Sequence, residues 1–291
     1  MFQGSMVALV TPMQHDGAID TKSLHDLVEW HIASCTDALV VVGTTGEAAT
    51  LTKEEQYDII ARVVKQVAKR IPVIAGTGSN STQQTIELTL NAKKAGADAA
   101  LIVTPYYNKP TQSGLFAHYK LIAETCDFPV ILYNVPGRTA CDLLPETVEK
   151  LAHIANIIGI KEATGKPDRA LDIQQRCGKH FKIYSGDDAT AMELMLNGAH
   201  GVISVTANIA PKQMHDLCEA ALKGNRTLAE TINAPLIPLH NKLFLESNPI
   251  PVKWALSEMS RIPAGLRLPL VAFDVKFHAE LKEAITAANI L

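Results

Sequence analysis

A lysine closes an apolar run in this chain. Ile157-Ile158-Gly159-Ile160 reads as a buried strand, Lys161 ends it, and Glu162-Ala163-Thr164-Gly165 follows as a loop. A strand buried on both faces is nearly all hydrophobic. The ammonium must therefore snorkel to water, pair with a carboxylate, or lose its proton. An amine that loses its proton near neutrality is a nucleophile toward carbonyl carbon and can form a Schiff base; a plain surface lysine would carry the same local sequence. Tyr133 ends the preceding run, Val130–Tyr133, so the two side chains could meet at adjacent strand ends. A phenol there can relay protons, or merely fill the rim. Arg138, five residues further on, carries a planar fork suited to a carboxylate, or stands in a loop as a solvated arginine. Gly43-Thr44-Thr45-Gly46 offers backbone N–H groups and two hydroxyls to a small anion, because glycines permit close approach. A turn followed by a helix cap would look alike.

Other chemistries fit poorly. The ten histidines form neither HxH nor HExxH, and Asp187-Asp188 has no obvious histidine partner, so no metal site is expected. The adjacent acids read better as a cap for a helix starting near Ala189 than as an acid/base pair. Gly76-Thr77-Gly78 lacks the third glycine of a dinucleotide fingerprint, Gly165-Lys166 runs into Pro167 instead of a phosphate loop, and no GxSxG elbow occurs. No cofactor is implied.

The elements that would position these residues follow a regular plan. Short apolar runs at Met6–Val10, Ala38–Val42, Val73–Ala75, Ala99–Val103, Val130–Tyr133, Ile157–Lys161, Lys182–Tyr184 and Gly201–Val205 alternate with helix-like stretches. Their mean repeat of roughly 28 residues matches the eight-unit plan of a (β/α)8 TIM barrel, an α/β fold. Thr52-Lys53-Glu54-Glu55 and Ser81-Thr82-Gln83-Gln84 read as capping boxes. Pro145 and Pro211 suit first turns, and Gly96, Gly178, Gly198 and Gly224 suit helix stops. Strand patterning ends before Gly224, which predicts a barrel over residues 1–224 and a C-terminal helical appendage over 225–291. In such a barrel the active site lies where the βα loops converge. The polar segments named above all follow strands.

At 291 residues, 47% hydrophobic and 20% charged, the chain has the composition of a soluble globular protein. A net charge of −3 gives no support to nucleic-acid or membrane binding. Five scattered cysteines, never spaced as CxxC, and an N-terminus without signal-peptide character predict reduced thiols in the cytoplasm.

Taken in order, Gly43-Thr44-Thr45-Gly46-Glu47, Tyr106-Tyr107-Asn108-Lys109-Pro110, Tyr133-Asn134-Val135-Pro136-Gly137-Arg138-Thr139, Gly159-Ile160-Lys161-Glu162, Ser185-Gly186-Asp187-Asp188 and Glu246–Lys253 resemble the dihydrodipicolinate synthase family. The resemblance spans about Gly4 to the C-terminus. It implies a lyase that condenses pyruvate with L-aspartate 4-semialdehyde, the first committed step of diaminopimelate and lysine synthesis. It assigns Lys161 as the Schiff-base lysine, Tyr133 as proton shuttle, and Thr44 and Tyr107 as relay partners, with Tyr107 lent by a neighbouring subunit. Thr45 would hold the pyruvate carboxylate and Arg138 that of the semialdehyde. Gly186 and Ile203 would act through their backbones and so tolerate side-chain change. Sister aldolases on this scaffold generally lack the Thr-Thr pair or the arginine; both are present here. The family's usual form is a homotetramer, a dimer of dimers.

One departure concerns feedback. Many family members are inhibited by lysine at a cleft matching Ala49, Lys53, Gln56, Gly78, Asn80, Gln84 and Tyr106. Sensitive members commonly carry histidine at Gln56 and glutamate at Gln84. Loss of that carboxylate, with the like charge of Lys53 nearby, predicts weak or absent lysine inhibition.

Overall fold

A computed structural model describes residues 2–290; Met1 and Leu291, the outermost positions of the two expected regions, lie outside it. Eight parallel strands close into a barrel, β1 (Gly4–Ala8), β2 (Ala38–Val41), β3 (Val73–Gly76), β4 (Ala99–Val103), β5 (Val130–Asn134), β6 (Ile157–Glu162), β7 (Lys182–Ser185) and β8 (Gly201–Ser204), with β1 pairing to both β2 and β8. All eight predicted runs are strands, each shifted by no more than two residues at either end.

Strand alternation builds two cores. Side chains pointing inward, among them Met6, Val40, Ile74, Leu101, Ile131 and Tyr184, fill the barrel. Their neighbours Val7, Leu39, Val41, Ile102 and Leu132 point outward and meet the surrounding helices. The helices begin where capping chemistry satisfies free backbone donors. Thr52 and Glu55 form the expected reciprocal box on helix Lys53–Val67. The box expected at Ser81 is only half made: Ser81 caps Gln84 N, but the Gln84 side chain accepts from Ser79 Oγ at 2.8 Å. Gly96, at φ 89, ends helix Thr82–Ala95 in the left-handed conformation that favours glycine.

Strand β6 departs from simple alternation. Val130 pairs with Ile157 but Ile131 with Gly159, so β6 carries one extra residue against β5. Ile158 packs with the inner core, yet Ile160 belongs to the outer one. A one-residue slip reverses which face every later side chain occupies. The bulge therefore turns Lys161 inward, where uninterrupted alternation from Ile158 would point it at the helices. Gly159 is the residue that permits this, since a Cβ there would stand 2.4 Å from the Lys182 carbonyl oxygen.

After helix Pro211–Leu222 the chain is helical, with Arg226–Asn233, Ile237–Lys242, Ile250–Glu258 and His278–Ala287. Among the described residues no helix is long and apolar enough to cross a membrane, and all five cysteines are free.

Candidate active site

The C-terminal strand ends surround a cavity of about 530 Å³, within the size range of small-molecule sites. Thr44, Thr45, Tyr133, Arg138, Lys161 and Gly186 all line it. Two expected residues do not. Tyr107, held at φ 75 after β4, is 87% exposed and stands outside the cavity in the single chain. Ile203 lies buried on β8, in register with Met6 of β1.

Register sets the central pair. Tyr133 is the ladder partner of Lys161, which in turn partners Tyr184. The Lys161 ammonium nitrogen sits 4.4 Å from the Tyr133 ring centroid. Lys161 is 6% exposed. Burial drives its amine down from 10.5 to about 8; the Asp188 carboxylate opposes the shift and the Arg138 charge adds to it. Of the three fates open to a strand-end lysine, this is the approach to deprotonation. Burial raises the Tyr133 phenol, against the opposing charge of Arg138 and a hydrogen bond with Thr44. The phenol thus keeps a proton to hand on.

A polar network holds β5 and β6 level. Asn134 Nδ2 donates to Glu162 at 3.1 Å and to Asp142 at 3.0 Å. Arg169 pairs with both carboxylates, and Thr164 N–H donates to Glu162 at 2.9 Å. Asp187 caps helix Asp188–Leu196 as expected. Asp188 plays a different part. Its Oδ2 accepts from Val205 and Thr206 N–H, each at 3.0 Å, and ties the exit of β8 to that of β7.

The anion cradle is a strained loop. Val42 and Glu47 flank Gly43–Gly46 at φ 55 and φ 58, both left-handed without being glycine. Each such residue costs about 1–3 kcal/mol and persists only where its surroundings fix it. Thr45 is buried, and its hydroxyl accepts from Asn248 Nδ2 at 2.8 Å. Arg138, on the short helix Pro136–Thr139, reaches over the mouth and donates to the Asn248 carbonyl at 3.3 Å. Asn248 therefore belongs to the site, and no pattern in the sequence gave it a role. Its Thr45 partner lies 203 residues away.

Two expectations need correction. Gly186 does not tolerate side-chain change: a Cβ would stand 2.5 Å from Ala163 Cβ and 2.9 Å from Lys161 Cε. The glycine makes the room in which the lysine stem lies. The charge of Lys53 is also not free, because its ammonium pairs with Glu87. The rest of that cleft is neutral. Gln56 Nε2 donates to the Ala48 carbonyl at 3.1 Å, and Gln84 faces Ser79.

Fold and cavity together define a class: a (β/α)8 barrel with a buried lysine amine, in ion-pair contact with no carboxylate among the described residues, at the open rim of its sixth strand. Residues 1–288 match the dihydrodipicolinate synthetase family. A 4-hydroxy-tetrahydrodipicolinate synthase of Thioalkalivibrio sulfidiphilus is 61% identical over 290 residues, covering 100% of this chain and 99% of the relative. The crystal structure of a chloride-inhibited dihydrodipicolinate synthase from Acinetobacter baumannii, complexed with pyruvate, superposes with a TM-score of 0.99 at 55% identity, over 100% of both chains. A monomeric dihydrodipicolinate synthase variant superposes at 0.97 with 42% identity, over 100% of this chain and 98% of the other. The chain belongs to the dihydrodipicolinate synthetase family.

Proposed function

We propose that this chain condenses pyruvate with L-aspartate 4-semialdehyde to 4-hydroxy-tetrahydrodipicolinate, the first committed step of lysine and diaminopimelate synthesis. The observation that carries the reading is the Lys161 amine, buried, in ion-pair contact with no carboxylate among the described residues, and lying over the Tyr133 ring. Unprotonated, it attacks the pyruvate ketone; water leaves and an imine forms. Loss of a methyl proton gives an enamine, whose carbon attacks the semialdehyde. The amino group of that substrate then displaces Lys161 from the imine carbon and closes the six-membered ring. One water is lost overall, and the lysine is regenerated.

Tyr133 moves the protons, with Thr44 as its relay partner. Thr45 holds the pyruvate carboxylate and Arg138 that of the semialdehyde. Gly186 and Ile203 contribute backbone atoms. Tyr107 completes the relay from a partner subunit, a reading supported by its exposure outside its own cavity. We read the assembly as a homotetramer made of two tight dimers, working in the cytoplasm, and residues 1–224 and 225–291 as barrel and helical region. A monomer with full activity would contradict the role of Tyr107. The neutral cleft at Gln56 and Gln84 supports weak lysine feedback, and sub-millimolar inhibition by lysine would overturn that.

The test is borohydride reduction in the presence of pyruvate. A covalent adduct forms on the wild type and is absent from Lys161→Ala. An aldehyde panel tests the second substrate: preference for N-acetylmannosamine over aspartate semialdehyde would sink the assignment.

A further inference from the structure

Beneath the Thr44–Thr45 loop, on the side away from the cavity, lies the chain's other buried lysine. Lys253, on helix Ile250–Glu258, is 1% exposed and forms an ion pair with Glu47, whose side chain is equally buried. Every strong contact of this pair ends on the cradle or on what supports it. Lys253 Nζ also donates to the Thr11 carbonyl at 3.0 Å, and the Thr11 hydroxyl donates to the Gly46 carbonyl at 2.7 Å. The second oxygen of Glu47 accepts from Arg267 N–H at 3.3 Å. Glu47 N–H in turn donates to the Thr44 carbonyl at 3.1 Å, closing the turn that presents both threonines.

A buried ion pair is poor evidence of stabilisation, because desolvation offsets much of the attraction. Geometric constraint is what it supplies best. Here the constrained residue is the left-handed Glu47 itself, one of the two strained ends of the loop. Neither Glu47 nor Lys253 lines the cavity, so neither can touch a substrate there. We propose that the Glu47–Lys253 pair is the positioning device that holds the Thr44–Thr45 cradle in its pyruvate-binding shape. The proposal rests on the reading of that cradle as the carboxylate site. It also gives the C-terminal helical region a part in ground-state binding, through a contact spanning 206 residues.

The test compares three variants for the pyruvate concentration that half-saturates borohydride trapping, and for turnover. Glu47→Gln with Lys253→Met removes both charges and leaves none unpaired, so the fold is retained. We expect half-saturation to rise about tenfold or more, with trapping still complete at high pyruvate and kcat within about threefold of wild type. Glu47→Asp keeps the charge and shortens its reach; an intermediate rise is expected, and it serves where the double variant does not fold. Glu258→Gln breaks the pair between Glu258 and Lys282 at the far end of the helix that carries Lys253. Neither residue of that pair contacts Glu47, and half-saturation should stay at the wild-type value. Wild-type half-saturation in both Glu47 variants overturns the proposal, and so does an equal rise in Glu258→Gln. Failure of the wild type itself to trap pyruvate would instead overturn the Schiff-base reading.

Discussion

Lys161 and Lys253 are both buried, yet only one faces a cavity. At the interface between barrel and C-terminal helices, Lys253 meets the Glu47 carboxylate and the Thr11 carbonyl; burial lowers its pKa, and the carboxylate offsets only part of that shift. At the rim of β6, Lys161 meets an aromatic face and forms an ion pair with no acid among the described residues; burial takes its amine down to about 8 against the pull of Asp188. Burial alone does not make a nucleophile. Burial lowers the pKa of both; what separates them is geometry, since Lys253 is locked in an ion pair with Glu47 while the Lys161 amine is open to the cavity.

The largest test of this contrast is chemical. Lys161→Ala should lose the trapped pyruvate adduct and about four orders of magnitude or more in turnover. Arg138→Ala should form the imine normally but lose about 10²–10³-fold in turnover, the cost of one preorganised charge partner. Equal loss of imine formation would remove Arg138 from its role at the second substrate.

Stability supplies the sharpest contrast, since the same substitution should act with opposite sign at the two lysines. Lys253→Met leaves Glu47 buried without its partner and should destabilise by about 3–5 kcal/mol in denaturant unfolding. Lys161→Met removes a charge that the fold holds at a loss. The gap between about 8 and 10.5 corresponds to about 3 kcal/mol of stabilisation on substitution. With its folded-state pKa depressed, Lys161 binds fewer protons folded than unfolded between those values. Its cost is therefore complete below pH about 8 and fades toward 10.5. The gain from Lys161→Met should shrink over that window. Destabilisation by both substitutions at neutral pH would erase the distinction. The smallest effect is kinetic: the imine-formation rate should rise with pH and level off above about 8. A pH-independent rate would show that Lys161 is not the titrating nucleophile.

Much of the site was legible in the chain because βα barrels place their chemistry at strand ends, and strand ends can be read from apolar runs. Lys161, Tyr133, Arg138 and Thr44-Thr45 all stood out in this way and share one cavity. Glu47, Asn248 and Lys253 lie in segments that carry the family resemblance, but their contacts across the fold were not legible. Their partners are about two hundred residues distant, at 203 and 206 positions, and no local pattern marks a pairing across that interval. Gly159 is a middle case, since a glycine inside a strand run commonly marks a bulge, but its position alone does not say which way the strand then turns.

The order of apolar runs, caps and stops determined a barrel of eight strands, because period and punctuation are local properties of the chain. The same order brought the reactive residue types to one end of it. Tertiary structure alone decided which of two buried lysines is locked in an ion pair and which faces the cavity. It also decided, through one surplus residue in β6, that Lys161 points into the barrel. Both outcomes depend on what packs against a side chain in space, and sequence distance carries no information about that.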